Sequence, residues 1–347
     1  MIDFSYVKTD YSKRLEDIRQ AHMIEHMDRQ AEVAEAIPEV EELQKQISAS
    51  SVALIRKQVG ATLSPEEKKA QRQALSLENK KLQDKISQLL QANGFAADYL
   101  DMQYDCPLCK DTGSYENGTC SCVHKMQVAD LYKSSNLESI LKSENFDNFD
   151  LSLFSQEDFS TKNKAGKTVN YVSPAENMRK VLAESKDFCN TFDCTTGKKS
   201  LLFYGETGHG KTFLTHCIAK SLLDTGHTVL YLTASEMMDQ VIAPYLMHRE
   251  ETGPGLKTAY ELLYKSDLLV IDDLGTETLN NFSRTQIFEV INRRLIDNAA
   301  TIISTNLDPS GLTERYSERI MSRIVQDYAL YYLYGKDNLR YKIVLKK

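Results

Sequence analysis

The residues from Gly205 to Thr212, Gly-Glu-Thr-Gly-His-Gly-Lys-Thr, have the types and the spacing of a phosphate-binding loop. They follow the apolar run 200–204 and precede a helical pattern that begins near Lys211. Glycines let backbone N–H groups converge on phosphate oxygens, and the helix N-terminus adds partial positive charge. We therefore predict that ATP is bound by Gly205, Glu206, Thr207, Gly208, His209, Gly210, Lys211, Thr212 and Phe213.

Two carboxylates follow a second apolar run and predict a magnesium site beside this loop. Residues 268–271 are continuously apolar, as in a buried parallel strand, and Asp272 and Asp273 come directly after them. Lys211 is expected to contact the β- and γ-phosphates, while Thr212 and Asp272 hold Mg²⁺. Asp273 is expected to orient or deprotonate the attacking water.

A third predicted strand, residues 301–306, ends in the polar pair Thr305 and Asn306. Its place after the other two motifs predicts that Asn306 contacts the γ-phosphate or the attacking water. Strands that alternate with helical patterns predict an α/β fold, with a parallel sheet flanked by helices and the chemistry at the carboxyl ends of its strands.

Four of the seven cysteines lie close together in the sequence, in a Cys-x-x-Cys pair and a Cys-x-Cys pair. Paired thiolates at this spacing are typical of a tetrahedral zinc site. The predicted ligands are Cys106, Cys109, Cys120 and Cys122. Three alternatives stay open, namely replacement of one cysteine by His124, a redox pair, and an iron–sulfur cluster.

The composition indicates a globular protein of two or three domains. The chain has 347 residues, of which 41% are hydrophobic and 26% are charged, and a net charge of −7. This charge argues against a uniformly basic nucleic-acid-binding surface, although it allows a local basic groove. Because the sequence shows neither a membrane-spanning run nor a signal-peptide profile, we expect a cytoplasmic protein.

Four regions follow from these patterns. Residues 1–100 are predicted to form a helical or coiled hairpin that binds a partner, and residues 101–130 a four-cysteine zinc module. Residues 131–172 are predicted to be a linker, and residues 173–347 the ATPase domain. One helical seam in the first region either contacts a partner or packs on its own domain, and it contains Leu75, Asn79, Leu82, Ile86 and Leu89.

Four segments carry a resemblance to a known family. They are YGETGHGKTFLTHCIAK, LLVIDDLGTE, ISTNL and YSERIMSRI. With them the chain resembles the bacterial replicative-helicase loaders of the DnaC/DnaI type within the AAA+ ATPases, and it is similar to the related IstB-type ATPases. The resemblance implies an AAA+ core and an ATP-dependent factor that places the replicative hexameric helicase on single-stranded DNA during DNA replication. It also implies ATP, Mg²⁺ and Zn²⁺ as cofactors, and helicase binding by the N-terminal zinc-containing region.

The resemblance gives two arginines a role between subunits. Arg323 matches the arginine finger that completes the nucleotide site of a neighbouring subunit, and Arg319 lies one helical turn earlier. Self-association into an ATP-dependent ring or spiral follows from this. Many AAA+ proteins have Glu where this chain has Asp273, so we expect slow hydrolysis that depends on the oligomer or on DNA. Surface salt bridges are the alternative role for both arginines.

The segments that face single-stranded DNA in loaders contain four candidate contacts, Tyr245, Asn280, Phe282 and Arg284. Ordinary packing is the alternative for the two aromatic residues. Arg340 is a candidate second sensor of the nucleotide. Two other functions stay open, an IstB-like ATPase that assists a transposase on duplex DNA and a nucleotide-sensing scaffold protein.

Overall fold

The computed structural model describes residues 11–58, 65–116, 118–134, 137–162, 166–192, 200–248 and 252–346. The chain divides into two compact units. The first is Tyr11–Gly118, and the second includes Thr119–Lys347. No helix in these described ranges is long and apolar enough to cross a membrane.

The first unit is built from three long helices, α1 (Ser12–Ala36), α2 (Pro38–Gln58) and α3 (Pro65–Ala92). The predicted helical character of this region is therefore confirmed. Proline at the first position of α2 and of α3 suits a helix start, because that N–H has no partner within the helix. The small apolar core of the unit contains Val33, Ile37, Val40, Leu43, Ile86 and Leu90.

The polar residue of the predicted seam has partners within the unit. Asn79 accepts a hydrogen bond from Ser50 at 3.2 Å and donates one to Ser51 at 3.4 Å, so it faces α2. Ile86 is buried in the core, and Leu82 and Leu89 pack against it. This part of the seam therefore packs on its own domain.

A short two-stranded sheet separates the two cysteine pairs. It consists of β1 (Ser114–Tyr115) and β2 (Gly118–Thr119), and α4 (Ser121–Ser134) begins directly after it.

The second unit is organised around a five-stranded parallel sheet with the strand order β6-β7-β8-β5-β9. The strands are β5 (Ser200–Tyr204), β6 (Val229–Thr233), β7 (Leu268–Leu274), β8 (Ala300–Thr305) and β9 (Tyr328–Tyr332). Every residue of β8 and all but the last of β5 are buried, as expected for strands covered on both faces. The three strands predicted from the sequence are β5, β7 and β8, and because they are neighbours in the parallel sheet their carboxyl ends lie side by side.

Helices of the second unit supply the rest of its core. The predicted α/β fold, a parallel sheet with helices packed on it, is thus confirmed. The remaining helices are α6 (Pro174–Asn190), α7 (Lys211–Asp224), α8 (Ala234–Glu236), α9 (Ala243–Met247), α10 (Pro254–Lys265), α11 (Asn281–Ile296), α12 (Pro309–Tyr316), α13 (Glu318–Asp327) and α14 (Leu339–Lys346). A π-helical turn, Met237–Ile242, connects α8 and α9.

The described residues of 131–172, a segment that the sequence predicts to be a linker, include several that pack in the core of this unit. The segment contains α5 (Leu137–Ser143), a 3-10 turn, and a hairpin of β3 (Phe159–Lys162) and β4 (Thr168–Tyr171). Its apolar residues Leu137, Leu141 and Phe154 are buried in the core shared with the sheet. The polar composition of the segment did not indicate this burial. A few buried apolar side chains are enough to hold a short polar segment against a core.

Candidate nucleotide-binding site

The loop between β5 and α7 has a backbone that only glycine accommodates. Gly205, Gly208 and Gly210 have φ values of 139°, 89° and 88°, in the left-handed region that favours glycine. A Cβ on Gly205 would lie 1.9 Å from the carbonyl oxygen of Leu333, and one on Gly208 would lie 2.1 Å from the Asn338 side-chain oxygen. The glycines therefore allow the C-terminal segment to approach the loop closely.

Lys211 is the first residue of α7 and is buried. Its ammonium group donates hydrogen bonds to the carbonyl oxygens of Gly205 at 2.6 Å and Glu206 at 2.7 Å, and to Asn306 Oδ1 at 2.7 Å. Burial lowers the pKa of Lys211 to about 8, although the nearby carboxylates oppose this shift. The structure thus brings together the predicted phosphate-binding lysine and the predicted sensor.

Asp272 is buried at the end of β7, beside the start of α7. Its Oδ1 accepts hydrogen bonds from Ser304 and, at 3.4 Å, from Thr212, and its Oδ2 accepts one from Tyr231 at 2.8 Å. A carboxylate and a hydroxyl at this distance are oxygen ligands of the kind that Mg²⁺ uses next to phosphates. Thr212 and Asp272 therefore fit the predicted magnesium site.

Asp273 has a left-handed backbone conformation, with φ at 52°, which is uncommon for a residue other than glycine. Its N–H donates a hydrogen bond of 2.9 Å to Ser304 Oγ, which fixes the turn, and its side chain lines the cavity next to the loop. Burial and the charge of Asp272 raise the pKa of Asp273, while Lys211 and Arg340 lower it. A raised carboxyl pKa makes the group a stronger base toward water.

The cavity beside the loop has a volume of about 530 Å³. Its walls come from three distant parts of the chain. The phosphate-binding loop, Asp273 and Asn306 form one wall, and Leu339 and Arg340 form another. The third wall belongs to the segment before the hairpin and contains Glu144, Asn148, Phe149, Asp150, Leu153 and Phe154.

The aromatic wall was missed from the sequence, where this segment reads as a connector. The Phe149 ring lies 5.4 Å from the ring of Phe213 in an edge-to-face arrangement and stacks on Phe154 at 6.0 Å. An apolar wall beside a phosphate-binding loop suits a flat aromatic base. The pattern Asn-Phe-Asp-Asn-Phe at 145–149 was the available signal, because two aromatic residues in a polar segment need a burial site.

The C-terminal segment contacts the loop directly. The N–H of Leu339 donates a hydrogen bond of 3.0 Å to the carbonyl oxygen of Gly208. Arg340 lines the cavity and acts electrostatically on both Lys211 and Asp273. This position suits the candidate second sensor.

Arg319 and Arg323 lie on α13 and line a different cleft from the nucleotide cavity. The cleft has a volume of about 730 Å³. The Arg319 guanidinium lies over the ring of Phe288, 5.3 Å from its centroid. Ser317, just before the helix, has a φ of 118°, a conformation that costs free energy in a residue with a Cβ. The structure thus separates these arginines from the cavity of their own chain.

The four predicted zinc ligands converge in the structure. The Sγ atoms of Cys106, Cys109, Cys120 and Cys122 all lie within 4.8 Å of one another. Four thiolates around one point are compatible with zinc. His124 is not in this group, and its surroundings include Lys265 and Asp267. Burial, together with the charge of Lys265, lowers the pKa of His124.

A buried carboxylate supports the first cysteine pair. Asp111 accepts a hydrogen bond of 2.7 Å from the N–H of Cys106, and the N–H of Gly113 donates to Cys109 Sγ at 3.3 Å. The His22 imidazole lies 3.8 Å from Asp111, which connects α1 to this turn. Hydrogen bonds from residues that do not bind the metal themselves orient the metal ligands.

The four side chains predicted to contact DNA differ in whether they already have contacts within the chain. The Tyr245 ring stacks on Tyr260 with centroids 4.0 Å apart, and Asn280 caps the N-terminus of α11. Arg284 donates a hydrogen bond of 3.0 Å to the Arg315 carbonyl oxygen. Phe282 is an exposed aromatic residue. The geometry thus gives packing or capping roles to Tyr245 and Asn280.

Comparisons with known proteins identify relatives of this chain. The family model described as IstB-like ATP binding protein matches residues 163–329. The replicative helicase loader DnaC of Buchnera aphidicola subsp. Baizongia pistaciae (strain Bp) is 28% identical over 174 residues, which are 50% of this chain and 69% of that protein. The replicative helicase loader DnaC of Escherichia coli (strain K12) is 26% identical over 178 residues, 51% of this chain and 70% of that protein.

Two solved structures are also similar. The crystal structure of the DnaC helicase loader has a TM-score of 0.43 at 22% identity and covers 56% of this chain and 99% of its own. The crystal structure of DnaI has a TM-score of 0.43 at 19% identity, with coverages of 57% and 94%. Residues 163–329 therefore match the model of an IstB-like ATP-binding domain, and the resemblance of this chain to the DnaC-type loaders among the AAA+ ATPases, which its motifs predict, is confirmed.

Proposed function

We propose that this protein is an ATP-dependent helicase loader, which binds the replicative hexameric helicase and places it on single-stranded DNA during DNA replication. The observation that carries the proposal is the similarity, over half of the chain, to proteins named replicative helicase loaders. The same similarity favours a loader over an assistant of a transposase. An assembled nucleotide site, with lysine, two acids and a sensor, argues against a scaffold without ATPase activity.

ATP binding and hydrolysis are proposed to use the residues around the cavity. Lys211 and the loop N–H groups bind the phosphates, and the aromatic wall at Phe149 receives the base. Thr212 and Asp272 hold Mg²⁺, which neutralises charge on the phosphate oxygens when bound. Asp273 accepts a proton from the attacking water, and Asn306 orients that water or the γ-phosphate.

Hydrolysis is proposed to need a second subunit. Arg319 and Arg323 lie outside the cavity of their own chain, so a neighbouring copy supplies the positive charge that the transition state requires. ATP binding then favours a ring or spiral of subunits, and hydrolysis releases it.

The N-terminal region is proposed to bind the helicase. Exposed apolar side chains on α1 support this role, since Met23, Ile24 and Met27 are 50%, 60% and 60% exposed. Zinc bound by the four cysteines fixes the turn that contacts α1 through His22. Single-stranded DNA is proposed to contact the ATPase domain near Phe282 and Arg284.

A loading assay with the full-length chain tests the proposal. The purified protein, the replicative helicase from the same genome and circular single-stranded DNA are mixed with and without ATP, and the helicase retained on the DNA is measured. We expect a complex with the helicase and a large ATP-dependent increase in retained helicase. A Lys211→Ala variant should form the complex but fail to load.

The absence of any complex with the helicase would overturn the proposal. Preferential ATP-dependent binding to duplex DNA, with no effect on the helicase, would identify a transposase assistant instead. A Lys220→Ala variant is a suitable control for the lysine substitution, because Lys220 lies on the same helix and pairs with Asp224 on the surface.

A further inference from the structure

Tyr231 contacts the acid of the proposed magnesium site from the neighbouring strand. Its hydroxyl donates a hydrogen bond of 2.8 Å to Asp272 Oδ2. In the parallel register Tyr231 pairs with Val270, so its ring points to the face of the sheet that also carries Asp272 two residues further on. The hydroxyl therefore reaches the carboxylate along the strand direction.

The Asp272 carboxylate is held from both sides. Tyr231 on β6 binds one oxygen, and Ser304 on β8 binds the other. Hydrogen bonds to an ionised group are stronger than neutral ones, and two of them fix the rotation of the carboxylate plane. Oδ1 is thereby directed to the hydroxyl of Thr212, which is the other predicted metal ligand.

Tyr231 is itself fixed by groups on α7. Its hydroxyl lies 2.9 Å from Thr215 Oγ1, and its ring lies 4.8 Å from the His216 imidazole. His216 is held by Glu144, whose carboxylate oxygen lies 2.6 Å from Nδ1. Glu144 also lines the nucleotide cavity. A continuous set of contacts thus runs from one wall of the cavity to the magnesium-binding acid.

We propose that Tyr231 is a positioning residue for magnesium. It orients Asp272 so that this carboxylate and Thr212 hold the ion together, and it does not itself touch the ion or the nucleotide. The inference rests on the proposed ATPase function and adds a residue that no motif contains. Partners that orient metal ligands contribute about 10- to 100-fold to metal affinity.

The test uses Tyr231→Phe, which removes the hydroxyl and keeps the ring that packs on His216. Binding of a fluorescent ATP analogue to the full-length protein is measured in chelator and over a range of Mg²⁺ concentrations. We expect unchanged binding in chelator, and a half-saturating Mg²⁺ concentration about tenfold higher than in the wild type. ATP hydrolysis should require the same higher concentration of Mg²⁺.

Tyr334→Phe is the matched control, because the Tyr334 hydroxyl also donates a hydrogen bond, to the Val172 carbonyl oxygen, in the same unit. Its Mg²⁺ dependence should equal that of the wild type. An unchanged Mg²⁺ dependence in Tyr231→Phe would overturn the inference. Equal weakening with and without Mg²⁺ would also overturn it, since that result indicates a structural role only.

The two proposals fail in distinguishable ways. If the wild-type protein shows no Mg²⁺-dependent binding of ATP, the proposed ATPase function is wrong. If the wild type binds ATP with Mg²⁺ and Tyr231→Phe behaves identically, only the role of Tyr231 is wrong.

Discussion

Asn306 accepts a hydrogen bond of 2.7 Å from the ammonium group of Lys211, although the two residues are far apart in the sequence. The contact exists because β5 and β8 are neighbours in the sheet and each residue follows the end of its strand. Any phosphate that reaches Lys211 therefore also lies close to Asn306. We therefore propose that a change at the terminal phosphate, such as its hydrolysis, alters the contacts of Asn306 and the loop after β8.

The first prediction concerns Lys211. Replacement of Lys211 with Ala should abolish ATP binding, because the lysine supplies the positive charge at the phosphates. The fold should persist, because removal of the buried ammonium group also removes the cost of its desolvation. ATP titration, circular dichroism and zinc content measure these effects. Lys220→Ala should behave as the wild type, and ATP binding by Lys211→Ala at wild-type affinity would refute the assignment.

The second prediction concerns pH. Burial lowers the pKa of Lys211 to about 8, so the free protein loses the lysine charge as the pH rises past that value. A bound phosphate favours the charged form and raises this pKa again. ATP affinity should therefore fall above a pH of about 8, and binding there should take up protons. Calorimetry in two buffers with different ionisation enthalpies measures the uptake. Proton release or no change would contradict the prediction.

The third prediction is one zinc ion per chain, held by Cys106, Cys109, Cys120 and Cys122. Elemental analysis of the purified protein should show zinc, and a Cys122→Ser variant should lose most of it. His124→Ala is the control and should keep its zinc, because His124 lies outside the group of four sulfur atoms. Iron with visible absorbance, or zinc loss only in the His124 variant, would show that the ligand assignment is wrong.

The fourth prediction concerns catalysis between subunits. Arg323→Ala should bind ATP nearly as the wild type does but lose hydrolysis by about 10³-fold, since Arg323 stabilises charge in the neighbour's site. The ATPase rate of a mixture with Lys211→Ala provides the sharper measurement. Some interfaces in the mixture pair an intact loop with an intact arginine, so activity should return. A mixture as inactive as either variant, when both assemble with wild type, would exclude a role in trans.

The fifth prediction concerns stability. Arg294 is fully buried and donates hydrogen bonds to the carbonyl oxygens of Leu263, Ser266 and Ala300. Arg294→Met leaves these oxygens without their donor, so the free energy of unfolding should fall by about 3 kcal/mol or more. Urea denaturation measures the change.

The adjacent residue supplies the control for this stability measurement. The Arg293 side chain is 60% exposed, and its ion pair with Asp297, at 3.9 Å, lies on the surface. Arg293→Met should therefore change the free energy of unfolding by less than about 1 kcal/mol. Equal effects of the two substitutions would contradict the structural role assigned to Arg294.

The sequence by itself determined the parts of the site that lie within short segments. Local motifs and spacing were enough to predict the loop 205–212, the two acids near the end of β7, Asn306 and the four cysteines. The α/β class followed from the same alternation of apolar runs and helices. The helical character of α1 to α3 also followed, since apolar spacing along a helix is a local signal.

Only the tertiary structure decided which distant residues complete the site. Phe149 and Tyr231 reach it from two separate segments, and no local pattern indicates strand order or the register between β6 and β7. Contacts between distant segments likewise explain why described residues of 131–172 pack in the core of the second unit, although the composition of this segment predicts a linker. Side-chain types and spacing specify chemistry within a segment, whereas contacts between segments depend on the packing that minimises the free energy of the whole unit.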